Sequence, residues 1–174
     1  DKILLALAAD GTVIRSTTGL FWEIVQRPTS LHETWRSLTC LNDTFVLAGD
    51  NGLVAFSEDG RQFTPAPTRA AGNIRDVVLL NANQLIVLDD SARFQYSNDG
   101  GQTWSDSSLD TGLQSQRLAL LGDRHVVSAD QDGRLGLALP GIAGHPGAGG
   151  AGTVAAAPGA AHRPGACGAV PRSG

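Results

Sequence analysis

Acidic side chains at two turns have the type and spacing that could support chemistry. Asp89 and Asp90 are adjacent carboxylates, and such a pair could share a proton in acid–base catalysis. Neighbouring residues of a strand point to opposite faces, however, so the sequence favours two solvated turn acids over a catalytic pair. The run from Asp130 to Gly133 begins like a calcium-binding loop but lacks the glutamate needed at the twelfth position. We expect an ordinary turn there.

Other candidates for chemistry are few. The four histidines form no cluster along the chain, and no glycine-rich phosphate loop follows a strand and opens a helix. Cys40 and Cys167 have no metal-binding spacing and are not expected to pair, and Cys40 is expected to be a small buried residue. We therefore predict no catalytic, cofactor-binding or metal-binding residue within this chain.

The elements around these residues repeat. Three turn segments, here called the box turns, span residues 16–22, 57–63 and 97–104 and close with Trp22, Phe63 and Trp104. These aromatics are spaced 41 residues apart in both intervals. Each box turn lies between two short strand-like runs, as in a β-hairpin. A period of about 40 residues with several short strands is typical of a β-propeller blade.

The third box turn resembles the Asp-box of the BNR repeat, Ser-x-Asp-x-Gly-x-Thr-Trp, at every defined position. The second is one residue shorter and ends in Phe63, and the first has Thr18 in place of the aspartate. The aspartate is expected to accept backbone N–H groups, the glycine to adopt positive φ, and the aromatic to pack between neighbouring sheets. The residues assigned to this structural role are Ser16, Gly19, Trp22, Ser57, Asp59, Gly60, Phe63, Ser97, Asp99, Gly101, Thr103 and Trp104.

The fold class that we predict is all-β, a partial β-propeller of four-stranded antiparallel blades. Residues 36–67 and 74–106 each read as a complete blade of four strands. The first unit lacks its innermost strand, which is expected to precede Asp1. The fourth unit stops after its third strand, 134–139, with no box turn following.

Two regions follow from this pattern. Residues 1–139 are assigned to the partial BNR/Asp-box propeller, and residues 140–174 to a Gly/Ala/Pro-rich low-complexity tail. The tail holds too little apolar surface to offset its ordering entropy and is expected to be disordered. Because the break falls within a blade, we also consider that the tail is the product of a reading-frame slip.

Composition restricts the partners. The net charge of −4 gives no basic face for nucleic acid, and no apolar run is long enough to cross a membrane. Unpaired sheet edges and open faces at the ends of a partial propeller predict self-association.

The resemblance to BNR/Asp-box propellers implies two functions. Sialidases share these repeats, as does the photosystem II assembly and stability factor family with its bacterial relatives. The first expectation is a non-catalytic scaffold that binds a protein or glycan partner, similar to the assembly factors. The alternative is a fragment of a sialidase-like glycoside hydrolase whose catalytic residues lie outside this chain. The resemblance also implies an extracytoplasmic location, periplasmic or secreted.

Overall fold

The described residues form short antiparallel strands joined by turns. A computed structural model describes residues 2–28, 34–66, 69–107, 113–121 and 125–138, together with two short strands nearer the C-terminus. The strands are β1 (Leu4–Leu7), β2 (Val13–Ser16), β3 (Glu23–Gln26), β4 (Trp35–Leu41), β5 (Thr44–Gly49), β6 (Val54–Ser57), β7 (Thr64–Pro65), β8 (Ile74–Leu79), β9 (Leu85–Asp89), β10 (Phe94–Ser97), β11 (Ser105–Asp106), β12 (Ser115–Leu121), β13 (His125–Asp130), β14 (Leu135–Ala138), β15 (Thr153–Val154) and β16 (Cys167–Gly168). A single 3₁₀ turn at Asp50–Gly52 is the helical element of the described residues.

These strands form four sheets of four strands each, which we call blades 1 to 4. Blade 1 has the order β16-β1-β2-β3, and blade 2 has the order β4-β5-β6-β7. Blade 3 has the order β8-β9-β10-β11, and blade 4 the order β12-β13-β14-β15. Consecutive innermost strands lie side by side from blade 2 to blade 4. The predicted fold class, a propeller of four-stranded antiparallel blades, is confirmed.

The second strand of each complete blade is buried on both faces. In β5 and β9 nearly every side chain is apolar and buried, because each strand lies between the sheets of its two neighbours. The outermost strands of blades 2 and 3 are only two residues long. Pro65 lies in one of them, β7, where a proline without an N–H is tolerated at the sheet edge. In these two blades the second strand is therefore the most deeply buried.

The core lies in the three junctions between blades. Trp35, Leu47 and Ala55 of blade 2 pack against Val13 of blade 1. The junction between blades 2 and 3 is the largest apolar cluster and includes Val46. The third joins blades 3 and 4; its members are Val78, Ile86, Leu88, Phe94 and Val126, with Tyr96, Leu118 and Leu120 at its edge. Each junction stabilises the fold by removing two apolar sheet faces from water.

The ends of the chain complete the first and fourth blades in an unexpected way. The innermost strand of blade 1 is the C-terminal β16, which pairs antiparallel with β1, so the expectation that this strand precedes Asp1 is wrong. Strand β15 supplies the fourth strand of blade 4. Both dipeptides pair with N–H and C=O groups that an open sheet edge would leave exposed. Apart from these two strands, the predicted tail, residues 140–174, lies outside the described residues.

Cys40 also departs from expectation. This residue is disulfide-bonded, which overturns the prediction that the two cysteines of the chain do not pair. It is half-buried on β4, not enclosed in the core. Sequence spacing could not reveal this bond, because β4 and β16 come together only through the pairing of β16 with blade 1.

Candidate functional site

Serine and aspartate side chains bond the backbone of the second and third box turns. Asp59 Oδ1 accepts the N–H groups of Arg61 and Gln62 at 2.8 and 2.9 Å. Asp99 Oδ1 accepts the N–H of Thr103 at 2.9 Å, and its Oδ2 accepts the hydroxyl of the same residue at 2.6 Å. Ser57 and Ser97 each donate a hydroxyl to the aspartate of their own turn. These aspartates satisfy donors that a tight turn leaves unpaired.

The first box turn uses a threonine for the same purpose. Thr18 Oγ1 accepts the N–H groups of Leu20 and Phe21 at 3.2 and 3.5 Å. Ser16 Oγ accepts the N–H of Gly19 at 2.8 Å, which matches the bond from Gly60 to Ser57 in the second turn. The Thr18 hydroxyl thus takes the place of the aspartate carboxylate, but its hydrogen bonds are longer and it carries no charge.

The charge state of the turn aspartates excludes a proton-donating role. The hydroxyl and N–H of Thr103 hold the pKa of Asp99 at about 2. The N–H groups of Gln62 and Arg61 lower the pKa of Asp59 in the same way. A carboxyl group that is ionised at neutral pH has no proton to donate, so neither residue is a general acid there.

The second and third box turns lie directly on the preceding blade. A Cβ on Gly60 would lie 3.1 Å from the Leu5 side chain of blade 1, and a Cβ on Gly101 would lie 2.9 Å from Ala66 of blade 2. The aromatics that close these turns, Phe63 and Trp104, pack on the apolar clusters of the same two junctions. Close approach of the turn to its neighbour therefore requires glycine as well as the aromatic.

The turn acids Asp89, Asp90 and Asp130 differ in part from the sequence prediction. Asp89 is buried, with 2% of its surface exposed, and is not a solvated acid. Its carboxylate accepts the N–H groups of Ser91 and Arg93 at 2.9 Å and the Arg93 Nε at 3.1 Å. Asp130 binds the equivalent N–H groups in blade 4, so the run that resembled a calcium loop is a hairpin turn, as predicted. Asp90 remains exposed.

The innermost strands surround a cleft of about 1170 Å³ on the propeller axis. Strands β4, β8 and β12 each carry a β-bulge near their start, which displaces one residue from the ladder. The displaced residues are Arg36, Arg75 and Gln116, and all three line the cleft. Bulges often direct a side chain out of a sheet, and here they place polar groups at one mouth of the cleft, which is our candidate functional site.

Asp76 connects three blades beside this mouth. Its carboxylate accepts the hydroxyl of Ser37 in blade 2 at 2.5 Å and the N–H of Leu118 in blade 4 at 2.7 Å. It also accepts the N–H of Val77 in its own strand at 3.0 Å. The bonds to Ser37 and Leu118 join blades that are far apart in sequence. We interpret Asp76 as a structural tie, because bonds within the protein occupy its oxygen atoms.

The arginines of the mouth differ in how far their charge is compensated. Arg36 forms an ion pair with the buried carboxylate of Asp50. Arg75 donates instead to neutral oxygens, the side-chain amide of Gln116 and the backbone carbonyl of Asp90. Among the described residues Arg75 makes no ion pair. Its guanidinium therefore retains a positive charge and unused donors at the cleft.

The described residues offer few other groups for chemistry. The described part of the chain contains no group of three histidine, cysteine or acidic residues that could hold a metal ion. Within the same residues no helix has the length and apolar character needed to cross a bilayer. Neither tyrosine nor glutamate is among the described residues that line the cleft.

Comparison with solved structures identifies propellers. YCF48 bound to a D1 peptide superposes with a TM-score of 0.61 at 14% identity over 79% of this chain. YCF48 from Cyanidioschyzon merolae gives 0.60 at 13% identity over 87% of the chain. The nidogen/laminin complex gives 0.62 at 12% identity over 80% of the chain. Neither a protein-family model nor a curated protein sequence matches.

The matched structures are longer than this chain. The superposition covers 46%, 55% and 58% of their lengths, so the chain spans about half of each. At these identities the likeness shows the fold alone.

Proposed function

We propose that this chain is the protein-binding part of a non-catalytic propeller, and that the cleft mouth binds an acidic segment of its partner at Arg75. The observation that carries this proposal is the uncompensated guanidinium of Arg75, displaced by a bulge into the cleft. A guanidinium binds a carboxylate through two parallel hydrogen bonds, which gives both charge and direction. Arg117, exposed beside it, adds a second cation bonded to a neutral carbonyl.

Two further points support a binding scaffold. One of the similar structures is described as YCF48 bound to a D1 peptide, and another as a complex of nidogen with laminin. The low pKa of Asp99 argues against its use as a general acid, and the oxygen atoms of Asp76 already accept bonds within the protein. We also propose that the three box turns are Asp-boxes of the BNR type and that the scaffold acts in assembly or stability of its partner. Their serine and aspartate bonds support the first point.

An extracytoplasmic location belongs to the same proposal. The disulfide bond of Cys40 supports it, because such bonds persist in oxidising compartments.

The binding proposal predicts a charge-specific effect at one arginine. A short fluorescein-labelled peptide rich in aspartate should bind the 174-residue chain at low salt, whereas its asparagine counterpart should not. Arg75→Gln should weaken binding about tenfold or more, because hydrogen bonds to charged groups contribute about 1.5–3 kcal/mol. Fluorescence anisotropy measures both affinities.

Arg61→Gln is the matched control, since Arg61 lies on the outer rim and pairs with Glu23. Equal losses for the two variants would refute a site at the mouth. Sialyllactose, added as a competitor, tests a glycan partner: binding of this sugar without binding of the peptide would overturn the preference for a protein partner.

A further inference from the structure

The first box turn exposes apolar side chains, and its closing aromatic lacks the contact that its counterparts make. Leu20 and Phe21 are 80% and 83% exposed, and Trp22 is 41% exposed. Ile24 on the neighbouring edge strand β3 is 51% exposed. In the second and third box turns the corresponding aromatics, Phe63 and Trp104, contact the preceding blade. The first box turn therefore has the form of the turns that pack on a preceding blade, but no described blade lies against it.

The sheet face behind this turn also lacks a covering blade among the described residues. Leu4, Ala6 and Ile14 of blade 1 are half-buried. Their register equivalents in blade 2 are Phe45, Leu47 and Ala55, each no more than 1% exposed. The difference arises because blade 2 has blade 1 on that side, whereas blade 1 has no described neighbour there. We call the exposed box residues and this face the leading face.

Blade 4 presents the complementary surface. By register, Val127 and Ala129 correspond to Ile86 and Leu88 of blade 3, which are buried against blade 4. In blade 4 these positions are only half-buried and border the axial cleft, and Leu121 is 61% exposed. We call this surface the trailing face. In blades 1 to 3 the corresponding face packs against the next blade. The trailing face of blade 4 can therefore pack against a further leading face.

We propose that the leading face of one copy of this chain docks on the trailing face of a second copy, and the reverse, in a two-fold dimer. Closed propellers have about 4–8 blades, and this chain supplies four while spanning about half the length of the propellers it resembles. Two copies would complete a ring of eight. The contact repeats the packing found between blades within each copy, so no new type of interface is needed.

Sedimentation velocity of the 174-residue chain tests this proposal. The wild type should sediment as a dimer of the 18.0 kDa chain and dissociate on dilution. Trp22→Glu should shift it to monomer, because its equivalents Phe63 and Trp104 contact the preceding blade and a charge would be buried at that contact. Gln62→Glu is the control: Gln62 is an exposed residue of the second box turn, and the dimer should persist.

A mixing experiment separates this contact from other self-association. Leu121→Glu alters only the trailing face, and alone it should also abolish the dimer. Mixed with Trp22→Glu, it should restore a heterodimer, because one leading and one trailing face remain intact between the two variants. A monomeric wild type, an association unaffected by Trp22→Glu, or a mixture that stays monomeric would overturn the proposal. Circular dichroism of each variant verifies that the fold is retained.

Discussion

Asp76→Ala is expected to lower the free energy of unfolding by about 3 kcal/mol. The Asp76 carboxylate is the acceptor for Ser37 of blade 2 and for the Leu118 N–H of blade 4, in addition to Val77. Alanine would leave the Leu118 N–H without its acceptor and the Val77 N–H with only its 3.3 Å bond to Ser37 Oγ. A partly buried unpaired donor costs about 1–3 kcal/mol. Urea unfolding followed by circular dichroism measures this loss.

Asp132→Ala is the matched control for this experiment. Asp132 is an exposed turn acid of blade 4 whose backbone N–H, not its carboxylate, bonds Asp130. Its replacement should change stability by no more than about 0.5 kcal/mol. Asp76→Asn should fall between the two, because an amide keeps one acceptor but loses the charge. A loss at position 76 no larger than that at position 132 would contradict the role of Asp76 as a tie between blades.

Trp104→Ala should cost about 3–5 kcal/mol, whereas Trp22→Ala should cost less than about 1 kcal/mol. The two residues close equivalent turns of the same repeat. Trp104 packs on the cluster between blades 2 and 3, while Trp22 is 41% exposed beside a blade with no described neighbour. The difference therefore measures the contact with the preceding blade and not the turn itself.

The same urea titrations give both values, at a protein concentration low enough to keep the chain monomeric. Equal losses would show that the aromatics stabilise their own turns alone. A larger loss for Trp22→Ala would contradict the assignment of which side of each blade the box turn contacts.

Features that repeat in the sequence could be predicted from it. The equal spacing of Trp22, Phe63 and Trp104 indicated equivalent positions in successive blades, and the apolar runs of β5 and β9 indicated strands buried on both faces. These signals are local, since each depends on residue types within one hairpin or one strand.

Features that depend on contacts between distant residues could not be predicted. Asp76 bonds Ser37 and Leu118, which lie about 40 positions away in sequence, and no local sequence pattern predicts these bonds. The burial of Asp89 follows from a hairpin whose loop folds around its carboxylate. The pairing of β16 with β1 depends on an open backbone edge, not on side-chain pattern. The arginines at the cleft mouth are positioned by β-bulges. A bulge interrupts the alternation of inward and outward side chains from which strands are predicted.

The central claim is that contact with the preceding blade makes Phe63 and Trp104 less exposed than Trp22, which has no described blade on that side. Acrylamide quenching of fluorescence tests it in two variants that keep one tryptophan, Trp22 or Trp104, with the others replaced by phenylalanine. In the dilute monomer, Trp104 should be quenched weakly and emit at shorter wavelength, and Trp22 should be quenched strongly. Equal quenching of the two, or stronger protection of Trp22, would contradict the account.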